Sequence, residues 1–459
     1  MTARERRVRR APTDLPFTFA DRALAQRLGV ERNEPDWLRA ERLEAATAFE
    51  ASPIEPNQLY TTYLDLRQAE LGEVVPYVRT ESAVAGPTLD SALPDGAAGI
   101  VELNEDRIGS IALAPELEAR GVVLETVGAG LERDPSASRL ELEGGRSLPS
   151  GEKLAAFARA FWNQGVRLVV PDGLRIDRPI IVRWAAGRPG NAVIARTFIR
   201  LGEDASASIV EELVPSSPAA PEGAGQGLLA VTTEVELGRG ADLAIASIQD
   251  VSTSTVVFQH RHAEVGEAAK LHWALAQLGS RLTRSRVDNR LVGDRSSVEQ
   301  AEIVFGGDDQ FFDLTSYTTH VGRDTTGNLL SKGALLDQAR SYMKGLITIE
   351  KSAIGTDSFL GEFGMNLSKR TRAVAIPSLE IDQPDCRRAA HSSSVGPIDE
   401  TQLFYLESRG IGPDEARKFI VLGFLEPVVA RVPLADAQDR LRRLLEEKWA
   451  AGWPAASAA

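Results

Sequence analysis

Few residues in this chain have the chemistry to bind a metal or to catalyse, and they are widely spaced. The one cysteine, Cys386, stands five positions before His391, and thiolate and imidazole suit a soft metal or an iron–sulfur species. Two ligands do not hold a cluster, which takes four, so this chain alone would supply part of a shared site. His260 and His262 lie two apart and on a strand would share a face, with His272 expected on a nearby rung. No cysteine or close carboxylate completes a ligand set there, so hydrogen-bonded or surface histidines are the plainer expectation. Asp308-Asp309 supplies two carboxylates of the kind a polysaccharide-cleaving enzyme uses, but neighbours on a strand point oppositely and pair badly as acid and base. No Gly-x4-Gly-Lys-Ser/Thr loop occurs, and Gly223-Ala-Gly-Gln-Gly227 neither follows a strand nor has dinucleotide-fingerprint spacing, so no nucleotide site is expected.

The elements that must position these residues fall into three zones: a mostly helical 1–162, a β-rich 163–395, and a helical 396–459. In the first, Asn33-Glu-Pro-Asp-Trp37 reads as a helix start followed by apolar Leu38, Leu43 and Phe49, and Glu152 to Trp162 reads as a second helix. Past Gly165 short apolar runs alternate with Gly, Asp and Ser, and a motif of apolar residue, glycine turn, small residue and new strand recurs from Leu201, Leu237, Val265 and Val292. Such a repeat predicts a parallel β-solenoid, with Ser216 to Gly227 as a loop leaving one rung. After Gly396 three helices are expected, Glu400–Ser408, Pro413–Leu425 and Leu434–Trp449. The last carries an apolar stripe of Leu434, Leu441, Leu444, Leu445 and Trp449, which reads first as core; a terminal helical module outside a solenoid has little of its own to cover it, so the alternative is that part of the stripe receives a partner.

Composition narrows the function classes. The 459 residues are 43% hydrophobic and 25% charged, with a net charge of −13 and a pI near 5.1, which gives no general attraction to nucleic acid or to an anionic membrane. The single basic run, Arg4 to Arg10, lacks the apolar core of a secretory signal, and no stretch approaches the roughly 20 apolar residues of a membrane-spanning helix. A lone cysteine fits a reducing cytoplasm.

The run His391-Ser-Ser-Ser-Val-Gly-Pro-Ile-Asp-Glu-Thr-Gln-Leu-Phe-Tyr-Leu-Glu-Ser-Arg-Gly-Ile411 resembles a signature of the SufB/SufD family of the Suf iron–sulfur cluster assembly machinery. Further resemblance lies in Ala155-Ala-Phe157, Val170-Pro-Asp-Gly173, Ser331-Lys-Gly-Ala334, Lys344-Gly345, Ala416-Arg-Lys-Phe419, Gly423-Phe424, and Asn33 to Trp37 with Arg42-Leu43. The resemblance implies a right-handed parallel β-helix core between helical regions and a non-enzymatic role as an assembly subunit. It implies pairing with a SufB-like paralogue through the β-helices and docking of a SufC ATPase on Pro413 to Val429, with Phe419, Leu422, Phe424 and Leu425 as candidate contacts. One cysteine makes the chain more like SufD than like the scaffold SufB. His391 matches the SufD histidine that faces the cluster-building cysteine of SufB, though Ala389-Ala390 and Ser392-Ser-Ser394 depart from the family's flanking residues and Cys386 stands several residues early. His391 is therefore the candidate metal ligand and, with Cys386, the candidate interface residue. No tightly bound cofactor is expected, only a transient cluster shared with SufB. A divergent SufB-like homodimer, a carbohydrate-active β-helix enzyme and a purely structural solenoid are the alternatives.

Overall fold

The structure, a computed structural model, describes residues 15, 17–78, 93–143, 148, 151–216, 224–432 and 434–456. The expected solenoid is present, with about eight turns. From Gln164–Val170 onward, successive strands go alternately to two sheets, so each strand pairs in parallel with the next but one. One sheet stacks Gln164–Val170, Asn191–Leu201, Gly227–Leu237, Thr255–Val265, Leu282–Leu291, Phe311–His320, Arg340–Ile349 and Arg372–Ile381. The other stacks Ile180–Ala186, Ser206–Pro215, Asp242–Gln249, Lys270–Gln277, Ser297–Gly306, Thr326–Leu335, Asp357–Asn366 and Arg388–Gly396.

The repeat read in the sequence is the corner between the sheets. Val170, Leu201, Leu237, Val265, Leu291, His320, Ile349 and Ile381 occupy one ladder, so the fourth copy begins at Leu291, one residue before the expected Val292. At each turn one residue takes a left-handed conformation: Gly173, Asp204, Gly240, Ala268, Arg295, Asp324 and Gly355. Its N–H donates to a carbonyl of the following rung, as Asp204 does to Arg239 and Gly240 to Glu267, both at 2.8 Å. At Gly240 a Cβ would fall 2.1 Å from Asp204 Oδ1, so any side chain there would have to displace that carboxylate as well as adopt a left-handed backbone.

β-structure begins earlier than the mostly helical reading of 1–162 expected. Gly99–Asn104 pairs in parallel with Ile180–Ala186, and the antiparallel strands Arg107–Leu113 and Val123–Thr126 finish the two sheets at this end. Helices Arg22–Glu31, Asp36–Ala51 and Lys153–Phe161 cover the outer face of the first sheet through Phe17, Phe49, Phe157, Phe161 and Phe258. Within that cap the buried Arg42 binds Glu34 bidentately (2.6 and 2.7 Å), donates to the carbonyls of Ala160 and Trp162, and lies over the Trp162 ring. The Asn33–Trp37 motif therefore supplies the acid that fixes the second helix to the third.

The three C-terminal helices are Glu400–Ser408, Pro413–Val429 and Ala435–Ala456. The last two lie on the outer face of the second sheet, where Val421, Leu425, Val428, Leu441, Leu445 and Trp449 pack on Ala246, Ala274, Ala276, Ile303 and Phe305. Small alanines on the sheet let the helices approach closely. The apolar stripe of the last helix is thus covered by the chain's own solenoid, in line with its reading as core and against the alternative that part of it awaits a partner. Among the described residues no helix is long and apolar enough to cross a membrane.

Candidate functional site

The C-terminal end of the solenoid is open. Among the described residues, Arg372–Ile381 and Arg388–Gly396 are the outermost strands of their sheets and each has a neighbour on one side only. In register, Leu360 opposes His391, Glu362 opposes Ser393 and Gly364 opposes Val395. Leu360 and Glu362 are buried facing the lumen, so His391, Ser393 and Val395 also face the solenoid axis. They are exposed because no further rung lies above them. Pro377, at the centre of the other edge strand, has no N–H to offer, and Ile381 and Val395 add exposed apolar surface.

Cys386 lies in the loop between these two strands, half-buried against a small cluster of Leu329, Ile347, Ile349, Ala353 and Leu360 with Leu379 and Ala389. The structure thus brings Cys386 and His391 to the same end of the molecule. Among the described residues no group of three His, Cys, Asp or Glu side chains is arranged to hold a metal ion.

The other sequence candidates do not converge. His260 and His262 share the outer face of Thr255–Val265 beneath the N-terminal cap, and His260 Nε2 contacts Asp288 at 2.7 Å. Asp288 also accepts twice from Arg286, and the Arg286 guanidinium helps hold its carboxyl well below the usual range against the opposing effect of burial. Burial pushes His262 down to about 4, keeping it neutral. His272 is on the other sheet, near Asp242 and Glu299. Asp308 occupies a left-handed turn and Asp309 pairs with Arg281, so the two form no acid–base pair.

Of the candidate docking residues on Pro413–Val429, Phe419 is 55% exposed, Leu422 and Phe424 are half-buried against the solenoid, and Leu425 is fully buried. Leu425 is therefore core rather than contact surface. Phe404 and Tyr405, 71% and 56% exposed, stand on the preceding helix. Their signal was present in Gln402-Leu-Phe-Tyr-Leu406, which is apolar around more of the helix than one buried residue, Leu403, requires. Lys332 Nζ donates to the Phe424 carbonyl at 2.8 Å and lies 4.6 Å from the Phe424 ring centre, tying the helix to the sheet. Lys344 is buried on the opposite outer face, where Asp313 binds both it and Arg284, and Glu55 of the cap completes the network. Sequence reasoning also missed that polar side chains such as Gln259, Arg261, Gln277 and Glu302 interrupt an otherwise apolar lumen, because which residues face inward depends on register.

A family model for the "SUF system FeS cluster assembly, SufBD core domain" matches residues 183–424, from strand Ile180–Ala186 through the rest of the solenoid into helix Pro413–Val429. The iron–sulfur cluster assembly protein SufD of Bacillus subtilis is 26% identical over 93% of this chain and 98% of its own length. A SufBD family protein of Mycobacterium tuberculosis is 28% identical over 72% of this chain and 80% of its own length, and one of Staphylococcus epidermidis is 24% identical over 94% of both. With the matched core covering more than half of the sequence and ending past the His391 rung, the chain belongs to the SufBD family of iron–sulfur cluster assembly proteins.

Proposed function

We propose that this chain is a SufD-like, non-enzymatic subunit of a cytoplasmic Suf complex. Its open solenoid end pairs with a SufB-like paralogue, and a SufC-type ATPase docks on the aromatic surface of Phe404, Tyr405 and Phe419. The observation that carries this reading is the last rung, where an exposed, axis-facing His391 sits on an edge strand with unpaired backbone groups and lacks the further donors a cluster needs. A second β-solenoid stacked on this end satisfies the edge by strand pairing and can supply thiolates across the interface. The nascent cluster is cargo, and His391 serves as one ligand or as a proton carrier. Cys386, half-buried in an apolar cluster, is not the building thiol in this reading.

The test is co-expression with SufB-like and SufC-like proteins of the same organism, purification through a tag on this chain, and measurement of subunit stoichiometry with bound iron and sulfide. A three-component complex, with no cluster on this chain alone, is expected. A homodimer carrying cluster by itself would overturn the reading in favour of a scaffold.

A further inference from the structure

The N-terminal cap holds a cavity that the assembly role leaves unused. Its volume is about 560 Å³, within the roughly 300–1,000 Å³ of pockets that take small organic molecules. Phe17, Phe49 of helix Asp36–Ala51, Lys153 at the start of helix Lys153–Phe161, and Ile54, Glu55, Thr61 and Leu64 of the segment 53–71 line it. Two walls are aromatic and held from behind: Phe17 stacks on Phe157 with ring centres 4.7 Å apart, and Phe49 meets Phe161 edge-on at 5.7 Å. The segment 53–71 is fastened to the first sheet. Arg284 donates to the Ile54 carbonyl and to Glu55, Tyr60 Oη donates to the Gly345 carbonyl at 2.8 Å, and Gln68 donates to that of Asp309 at 2.7 Å. The cavity is therefore formed before anything enters it, which lowers the ordering cost of binding.

The polar groups on its walls select the guest. Glu55 is fully engaged: Oε1 accepts from the Asn57 N–H at 3.1 Å and from the Tyr317 hydroxyl at 3.3 Å, and Oε2 accepts from Arg284 at 2.9 Å. Thr61 donates its hydroxyl proton to the Gln58 carbonyl at 3.0 Å. Lys153 is different. Its ammonium donates to the Phe49 carbonyl and lies 4.4 Å from the Phe49 ring centre, and among the described residues it forms no ion pair. An ammonium has three donors, so two remain. Burial lowers the pKa of this ammonium and Glu50 and Glu152 oppose that shift, yet neither carboxylate pairs with it. Glu152 instead accepts the Ala155 N–H at 2.6 Å and stands in the field of Arg284 and Arg286. A cationic guest would meet only engaged carboxylate oxygens, and an uncharged one would leave the ammonium without its counter-charge. An acceptor with negative charge on an apolar body satisfies both the ammonium and the walls. The basic run Arg4–Arg10 has the wrong sign to be that occupant.

We propose that this cavity binds an apolar-bodied monocarboxylate, with the carboxylate on Lys153 Nζ and the chain or ring against Phe17, Phe49, Ile54 and Leu64. The site does not depend on the assembly reading, because neither the open end of the solenoid nor the surface of Phe419 takes part in it.

The experiment is calorimetric titration of the purified full chain with octanoate, with 1-octanol as the uncharged control and amide exchange to locate the bound ligand. One saturable site is expected, with octanoate bound at least about tenfold more tightly than octanol, and with exchange slowed in the segment 53–71. Lys153→Met should lower the octanoate affinity about tenfold or more and leave that for octanol unchanged. Thr61→Trp, at the exposed rim, should block both ligands, and it serves if the methionine variant misfolds by circular dichroism. Absence of saturable binding, equal affinity for octanoate and octanol, or octanoate binding unchanged in either folded variant overturns the proposal. So does protection that appears only elsewhere, as on the exposed aromatic helix Glu400–Ser408.

Discussion

Glu362→Gln should stabilise the protein at neutral pH and leave it nearly unchanged near pH 4.5. The carboxyl is buried one rung below the open end, and burial raises it from 4.5 to about 8. An acid whose folded-state pKa is raised keeps its proton where the unfolded chain has already lost it. Between pH 4.5 and about 8 the unfolded chain therefore binds fewer protons, and stability falls as pH rises through that window. At about 1.4 kcal/mol per unit, a shift of about 3.5 units reaches about 5 kcal/mol above pH 8, of which about 3 kcal/mol is in force at pH 7. Glutamine keeps the shape and can accept the Ile376 N–H through its amide oxygen, but it has no charge to bury. Urea unfolding of both proteins between about pH 5 and 8.5 should give a stability difference that opens from about 1 kcal/mol at pH 5 to about 3 kcal/mol at pH 7 and levels above pH 8. Solenoids unravel from their ends, so amide exchange in Asp357–Asn366 reads the same effect locally. Stability curves that run parallel across this range would refute the reasoning.

Phe419→Asp should remove the ATPase from the purified complex while leaving the thermal unfolding of this chain within about 0.5 kcal/mol of wild type, because the ring is exposed. Arg42→Ala should cost about 3–5 kcal/mol in denaturant unfolding, since it leaves Glu34 buried without its bidentate partner. Lys332→Met should raise amide exchange across Pro413–Val429 by an opening free energy of about 1–2 kcal/mol, with Lys332→Arg intermediate, because it removes the donation to the Phe424 carbonyl.

Much of the architecture was legible because a solenoid writes its period into the sequence. Most corners pair an apolar ladder residue, His320 being the exception, with a left-handed turn, and Leu201, Leu237 and Val265 mark three corners correctly. The slip at Val292 arose because Leu291 and Val292 are both apolar, and only pairing with His320 decides which one enters the ladder. The early strands were hidden because Gly99–Asn104 joins a sheet whose neighbour, Ile180–Ala186, lies about 80 residues on, and no local pattern encodes that pairing. His391 was singled out as an interface candidate through its flanking signature, but its axis-facing, uncovered position is a property of the last rung. Leu425 was misassigned as contact surface because an apolar helix position does not say whether the sheet or a partner covers it. The buried lumen carboxyls were invisible for a related reason: Glu302 and Glu362 turn inward and fall into one line only in register.

The central claim is that His391 at the open end takes part in cluster formation with donors from a partner. It is tested most directly by reconstituting clusters on the co-purified complex carrying His391→Ala, with iron and sulfide per complex as the readout. The account predicts an intact complex of unchanged stoichiometry whose cluster content falls several-fold. Wild-type cluster content in an intact His391→Ala complex would contradict it.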